Sequence, residues 1–205
     1  MAVLSGEIIV PLRVPREQLL PVTRVRSTLV LSSLQSLRVR GLFESYLGAL
    51  DPAAHAPILE IVAGVWLDMD VALAHYRACD ALGLPADLQV AMGHDVSERV
   101  QGTVLGVTAR AARGVGVTPW TGLTQTPRLW DRVFDGGGGI EVRKMGPKDA
   151  QVELVGLPLL DVAYFRHAYR GAFLAGLELF CRRAYVDELD ERRAAMGAIY
   201  RVSWA

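Results

Sequence analysis

Apolar positions recur at three- and four-residue steps over most of the chain before Asp135, and at two-residue steps in several stretches after it. The first spacing lines one face of a helix; the second lines one face of a strand. From Ser27 to Leu50, residues Leu34, Leu37, Phe43, Tyr46, Leu47 and Leu50 keep the helical step, with Gly41 as a break between two segments. Asp51-Pro52 reads as a cap and a first-turn proline opening a short helix that Pro57 kinks. A further helix starts at Asp68 or Asp70 and closes at Gly83. The longest stripe is Leu88, Met92, Val96, Val100, Val104, Val107 and Ala111, interrupted by Gly93, Gly102 and Gly106 and ended by Gly114 and Gly116. Small residues at four-residue spacing let another helix or a sheet approach closely. Thr126-Pro127 opens a short helix with Leu129, Trp130, Val133 and Phe134 on its apolar side.

Beyond the glycines, "IEVRKM" and "QVELVGLP" alternate apolar and polar residues around the turn "GPKD", so Ile140–Leu157 reads as a β-hairpin. Asp161 then caps a long helix, "DVAYFRHAYRGAFLAGLELFCRRA", and "AYVDEL" and "GAIYRVSWA" supply two more strands. At the start, "GEIIVPLRV" is β-branched but broken by Pro11, which suits an edge strand or an extended arm. The pattern predicts an α+β fold, with an N-terminal helical layer packed on a C-terminal antiparallel sheet (β-β-α-β-β) crossed by a long helix. Residues 1–205 are expected to form a single domain: an arm or edge strand over 1–26, a mainly helical part over 27–134, and sheet plus long helix over 140–204.

Composition narrows the function classes. Lys and Arg together number 22 and so do Asp and Glu, which argues against a nucleic-acid partner that needs a basic face. The N-terminus lacks the layout of a signal peptide, and no apolar window is long enough for a membrane span. A cytoplasmic protein is expected. Arginine dominates the cations, with lysine only at Lys144 and Lys148, which suits a GC-rich bacterial genome.

Catalytic signatures are missing. There is no nucleophile elbow, no HxxxH, HExxH or CxxC spacing, and no calcium loop around Asp68-Met69-Asp70. His55, His75, His94 and His167 read as surface or satisfied structural histidines, and Cys79 and Cys181 as reduced core thiols. "DELDERR", Asp187 to Arg193, reads as a solvated turn between the last two strands. Gly136–Gly139 lie between a helix and a strand, the reverse of a phosphate loop, and no Lys-Ser or Lys-Thr follows. They read as a helix C-cap with positive φ and a mobile entry into the sheet.

The landmarks "AMGHDVSERVQG", "TPRLWDRVFDGGGGIEVRKMGPKDAQVELVG", "YRGAFLAGLELF" and "YRVSW" together resemble the superfamily of 4-vinyl-reductase-type domains, haem nitric-oxide-binding domains and TRAPP vesicle-tethering subunits, and are most similar to a branch found in myxobacteria. The resemblance spans about residues 30–204. It implies a helical layer on a four- or five-stranded antiparallel sheet, with an apolar pocket between them in many members. Trp130 stands at the approximate place of the haem branch's axial histidine. "VELVGLPLL" lacks that branch's Tyr-x-Ser-x-Arg, and the last hairpin lacks the Cys/His cluster of the vinyl-reductase branch.

From these departures no cofactor is expected, and haem least of all. The leading expectation is a non-enzymatic sensory or regulatory protein holding a small hydrophobic ligand between helices and sheet, walled by Trp66, Trp120, Trp130, Tyr164 and Phe165. The alternatives are a dimeric interaction scaffold, with a second copy or another protein as partner, and an enzyme whose site assembles only in space.

Overall fold

The computed structural model describes residues 6–101, 118–190 and 194–205. It shows an α+β fold with antiparallel sheets and a long helix packed on the larger one. Strand β1 (Glu7–Val10) is followed by β2 (Arg24–Arg26), α1 (Ser27–Val39), α2 (Phe43–Ala49), α3 (His55–Leu59), β3 (Trp66–Asp68), α4 (Met69–Asp80) and α5 (Ala86–Gln101). Then come α6 (Pro119–Thr124), α7 (Thr126–Val133), β4 (Phe134–Asp135), β5 (Gly139–Gly146), β6 (Asp149–Val155), α8 (Ala163–Glu178), β7 (Ala184–Glu188) and β8 (Ala198–Trp204). The part of the long stripe beyond Gln101, with Val104, Val107, Ala111, Gly102, Gly106, Gly114 and Gly116, lies outside the described residues.

The larger sheet has the order β1-β5-β6-β8-β7, every pair antiparallel. Its inner face is a row of β-branched, leucine and tyrosine side chains: Val142, Val152, Leu154, Tyr200 and Val202 are all fully buried. Helix α8 lies on that row, with the rings of Tyr169 and Phe173 6.4 and 5.6 Å from that of Tyr200. Helix α5 packs on the far side of α8, and α1 packs on α5.

Three features depart from the sequence expectations. A second sheet, β3-β2-β4, joins Val25 to Leu67 and Phe134; its strands are two or three residues long, too short for any period to show. Phe134 therefore lies on a strand, not on the apolar side of α7. Gly136–Gly138 consequently join strand to strand, and no helix C-cap is formed there. Positive φ does occur, at Gly136 (97°) and Gly138 (63°). The run is also packed. The Gly138 amide donates to Leu20 O at 2.8 Å, and a Cβ on Gly137 would stand 2.2 Å from the same oxygen. Glycine is used here because the 20–23 segment crosses against bare backbone.

Capping differs as well. Asp51 accepts from the Ala53 amide at 2.9 Å, as its position suggests. Asp161, expected to cap the long helix, instead ends a 3-10 turn and accepts from the Met196 amide at 2.9 Å. Thr126 is the first residue of α7, and its hydroxyl turns back to Leu123 O at 2.7 Å.

Candidate functional site

Helix α4 carries His75 and Cys79 four residues apart, hence on one face, and both are fully buried. The elements around them each bring a polar or sulfur atom. Tyr46 on α2 places its hydroxyl 2.8 Å from His75 Nδ1. Ser33 on α1 places its Oγ 2.9 Å from Nε2. The Cys79 sulfur lies 3.7 Å from the same Nε2. Tyr164, in the first turn of α8, donates its hydroxyl hydrogen to Met92 Sδ on α5 at 3.7 Å. Tyr76 completes the cluster, its ring 4.7 Å from that of His75 and 4.8 Å from that of Phe165.

Burial governs the protonation states. It pushes the His75 pKa down to about 3, so the imidazole is neutral near pH 7. It raises the Cys79 thiol well above its usual range, only partly offset by Ser33 and Tyr164. The phenols of Tyr46, Tyr76 and Tyr164 are raised for the same first cause. The cluster is therefore uncharged, and desolvation costs it far less than it would cost ions. A neutral imidazole has one donor and one acceptor nitrogen, and two hydroxyl partners can satisfy either tautomer. Such a group can release one partner and offer a lone pair to a metal or a ligand.

Asp80, the last residue of α4, ties the cluster to α8: its Oδ1 accepts from the Tyr164 amide at 2.7 Å. An aspartate from another helix thus caps the long helix in place of the local Asp161. Asp80→Ala is expected to lower stability by about 1 kcal/mol, the cost of a lost cap, whereas Asp87→Ala should lose much less. Urea unfolding of both variants checks this.

The aromatic residues expected to wall one pocket are dispersed. Trp66 on β3 is half-buried under the Arg26 guanidinium, 3.8 Å from its ring. Trp120 on α6 meets Trp204 edge-on at 4.9 Å and donates to Pro147 O at 3.0 Å. Trp130 on α7 is buried beside Phe134 and donates to Gly137 O at 3.2 Å. Tyr164 and Phe165, adjacent at the start of α8, both face Tyr76 of the cluster. In the "DELDERR" run, Asp187 is exposed but Glu188 is half-buried on the inner side of β7, 2.7 Å from Arg166, and burial raises its carboxyl pKa. Residues 191–193 lie outside the described residues.

An open cleft of about 410 Å³ lies between Arg77 and Asp80 of α4 and Asp161 and Met196. Among the described residues, no three His, Cys, Asp or Glu side chains converge as a metal site, and no helix is long and apolar enough to cross a membrane.

The sequence signal for the cluster was local and faint. His75 and Cys79 share the buried face of α4, and Ser33 interrupts the apolar stripe of α1. Nothing local says that the two helices meet there.

No protein-family model matches the chain, and no curated protein does. Solved structures match its fold. An Fe(II) unliganded H-NOX mutant from K. algicida aligns over 88% of this chain and 96% of its own, with TM-score 0.60 and 9% identity. An H-NOX structure addressing haem distortion aligns over 87% and 94%, with TM-score 0.60 and 10% identity. An oxygen-binding H-NOX domain related to soluble guanylate cyclases, in its oxygen complex, aligns over 87% and 94%, with TM-score 0.57 and 10% identity. All three are H-NOX domains, and at 9–10% identity they show that this chain shares their fold. They overturn the expectation that the chain takes no cofactor and haem least of all. That expectation rested on two missing motifs, the axial histidine and the Tyr-x-Ser-x-Arg run.

Proposed function

We propose that this chain is a sensory domain that binds haem between its helical layer and α8, with His75 as the imidazole that meets the iron. The observation behind the reading is the buried, uncharged His75 cluster within a fold whose solved neighbours include haem-distortion and oxygen-complex H-NOX structures. The donor chemistry fits, since neutral imidazole nitrogen is a common haem ligand. Bound haem would supply an iron able to take a diatomic gas.

The chain's own residues do the rest. With Nδ1–H donating to the Tyr46 oxygen, Nε2 keeps its lone pair, and Ser33 must release it for iron to bind. Tyr46 would then fix the ring's orientation and raise its basicity, as an outer partner does for ligating histidines. Met92 and Tyr164, both buried, would have to move for haem to be held here. Of the aromatic residues expected as pocket walls, Tyr164 and Phe165 are the two this reading retains. We assign the domain to sensing and not to turnover. The dimeric scaffold has no comparable observation among the described residues.

Titration of the haem-free chain with haemin tests the reading. The expected result is a Soret band that saturates at one equivalent, an iron–imidazole stretch in the resonance Raman spectrum, and loss of both in His75→Gln. Haemin that shows no saturation in the wild-type chain overturns it.

A further inference from the structure

The cluster contains a second donor that haem would leave unused. Cys79 Sγ faces His75 Nε2 at 3.7 Å, both on α4 and both fully buried. A hydrogen bridging thiol and imidazole is one occupant of that gap; a metal ion is another. Metal–sulfur and metal–nitrogen bonds of about 2.3 and 2.0 Å sum to slightly more than the observed separation. An ion bonded to both atoms would sit off the line between them, with an angle of about 120° at the metal that leaves a third position open.

We propose that the His75–Cys79 pair is a site for one soft monovalent metal ion of the copper(I) type.

Three observations set the class of ion. The donors are a thiol and an imidazole, and soft sulfur ligands select copper(I), zinc or iron–sulfur centres. No carboxylate joins them, and among the described residues no third His, Cys, Asp or Glu converges to complete the set of four that zinc takes. The surroundings are apolar or neutral, with Tyr46, Tyr76, Met92 and Tyr164 all buried around the pair. A monovalent cation on a thiolate is neutral overall, whereas a divalent ion would leave an uncompensated charge in a low-dielectric interior. Met92 on α5 carries a thioether sulfur that accepts from the Tyr164 hydroxyl at 3.7 Å, and that hydroxyl also acts on Cys79.

The binding step balances without any redox partner. The Cys79 S–H bond breaks, S–Cu and Nε2–Cu bonds form, and the thiol proton leaves to solvent. Ser33 gives up its bond to Nε2, while Nδ1–H stays on the Tyr46 oxygen. No electron is transferred.

This inference does not rest on the haem reading. The imidazole serves one ion at a time, so a copper-loaded chain is expected to take up no haem at His75.

The test uses the full haem-free chain and copper(I) itself, held anaerobically by a chromophoric chelator. The wild type and Cys181→Ser are expected to withdraw one equivalent, with an ultraviolet sulfur-to-copper charge-transfer band. Cys79→Ser is expected to bind about 100-fold more weakly or worse, since even outer partners of a metal ligand cost 10–100-fold. Should Cys79→Ser fail to fold, X-ray absorption of the copper-loaded wild type decides the question. Sulfur and imidazole nitrogen in the copper shell sustain the proposal. A shell without sulfur, a wild type that withdraws no copper, or loss of binding in Cys181→Ser overturns it. Haemin uptake by the copper-free chain, followed separately by the Soret band, fails or succeeds independently of these results.

Discussion

Replacing Gly93 or Gly171 with alanine is expected to lower the stability of this chain by about 3 kcal/mol or more, at the upper end of overpacking costs. The same change at Gly48 is expected to raise it slightly. Alanine is the better helix former by about 1 kcal/mol, so all three substitutions would stabilise if only propensity mattered. Packing reverses the sign at two of them. A Cβ on Gly93 would stand 1.8 Å from Ala168 O, and one on Gly171 1.9 Å from Val90 O and 2.7 Å from His94 N. The obstacles are backbone atoms, which cannot rotate away, so α5 and α8 would have to separate. That separation would break the Gln89–His167 hydrogen bond (2.8 Å) and the His94–Glu178 contact (2.9 Å), and would part Tyr164 from Met92. Gly48 on α2 has nothing within 4 Å of its Cβ position. Denaturant midpoints of the three variants decide the matter. Equal effects at Gly48 and Gly93 would mean that the helices do not cross as closely as described. A total stability of about 5–15 kcal/mol leaves room for either α5–α8 variant to unfold at moderate temperature.

The same pair shows what is legible in sequence and what is not. Gly93 was visible as an interruption in an apolar stripe, and "YRGAFLAGLELF" as a glycine-rich helix. That the two glycines face each other across one crossing depends on the register of α5 on α8, which no local pattern fixes. Helices α4 and α8 were legible because each has several turns in which a stripe can repeat. The β5–β6 hairpin was legible from its alternation and its turn. Strands β2, β3 and β4 were not, because Arg24–Arg26 and Phe134–Asp135 are stabilised by pairing with distant segments and not by their own pattern. The exchange of Asp161 for Asp80 at the start of α8 has the same origin. A cap may come from any carboxylate in reach, and only the nearest in sequence can be seen beforehand. His75 was read as a surface or satisfied structural histidine; it is buried, with partners on both ring nitrogens. What stayed hidden was the company it keeps, with a serine, a tyrosine and a thiol from three helices at one point in space.

Acid should therefore destabilise this chain earlier than carboxylate titration alone would. His75 has a pKa of about 3 in the fold and about 6.5 when unfolded. Between those values the unfolded chain binds a proton that the folded chain excludes, so unfolding takes up protons and stability falls as pH falls. The contribution is complete above pH 6.5 and is lost toward pH 3, at up to about 1.4 kcal/mol per unit. None of the groups facing the ring offsets this. Tyr46, Tyr76, Tyr164 and Cys79 are all shifted upward by burial and stay protonated throughout the window. Glu188 works in the opposite sense: its carboxyl is raised in the fold, so it favours the folded state as it gains a proton, but only near the carboxylate range. In the window from pH 6.5 to pH 5 His167, whose pKa burial also lowers, contributes in the same sense, so the share of His75 is read from the difference between wild type and His75→Gln. Over that window, the wild type is expected to lose about 2 kcal/mol by urea unfolding, while His75→Gln, less stable at neutral pH, changes with a distinctly smaller slope. Parallel slopes in the two proteins would place the titration elsewhere and remove the argument that His75 is sealed from water. A steep slope in the wild type alone ties acid sensitivity to the same desolvation that keeps the imidazole neutral and available to a metal.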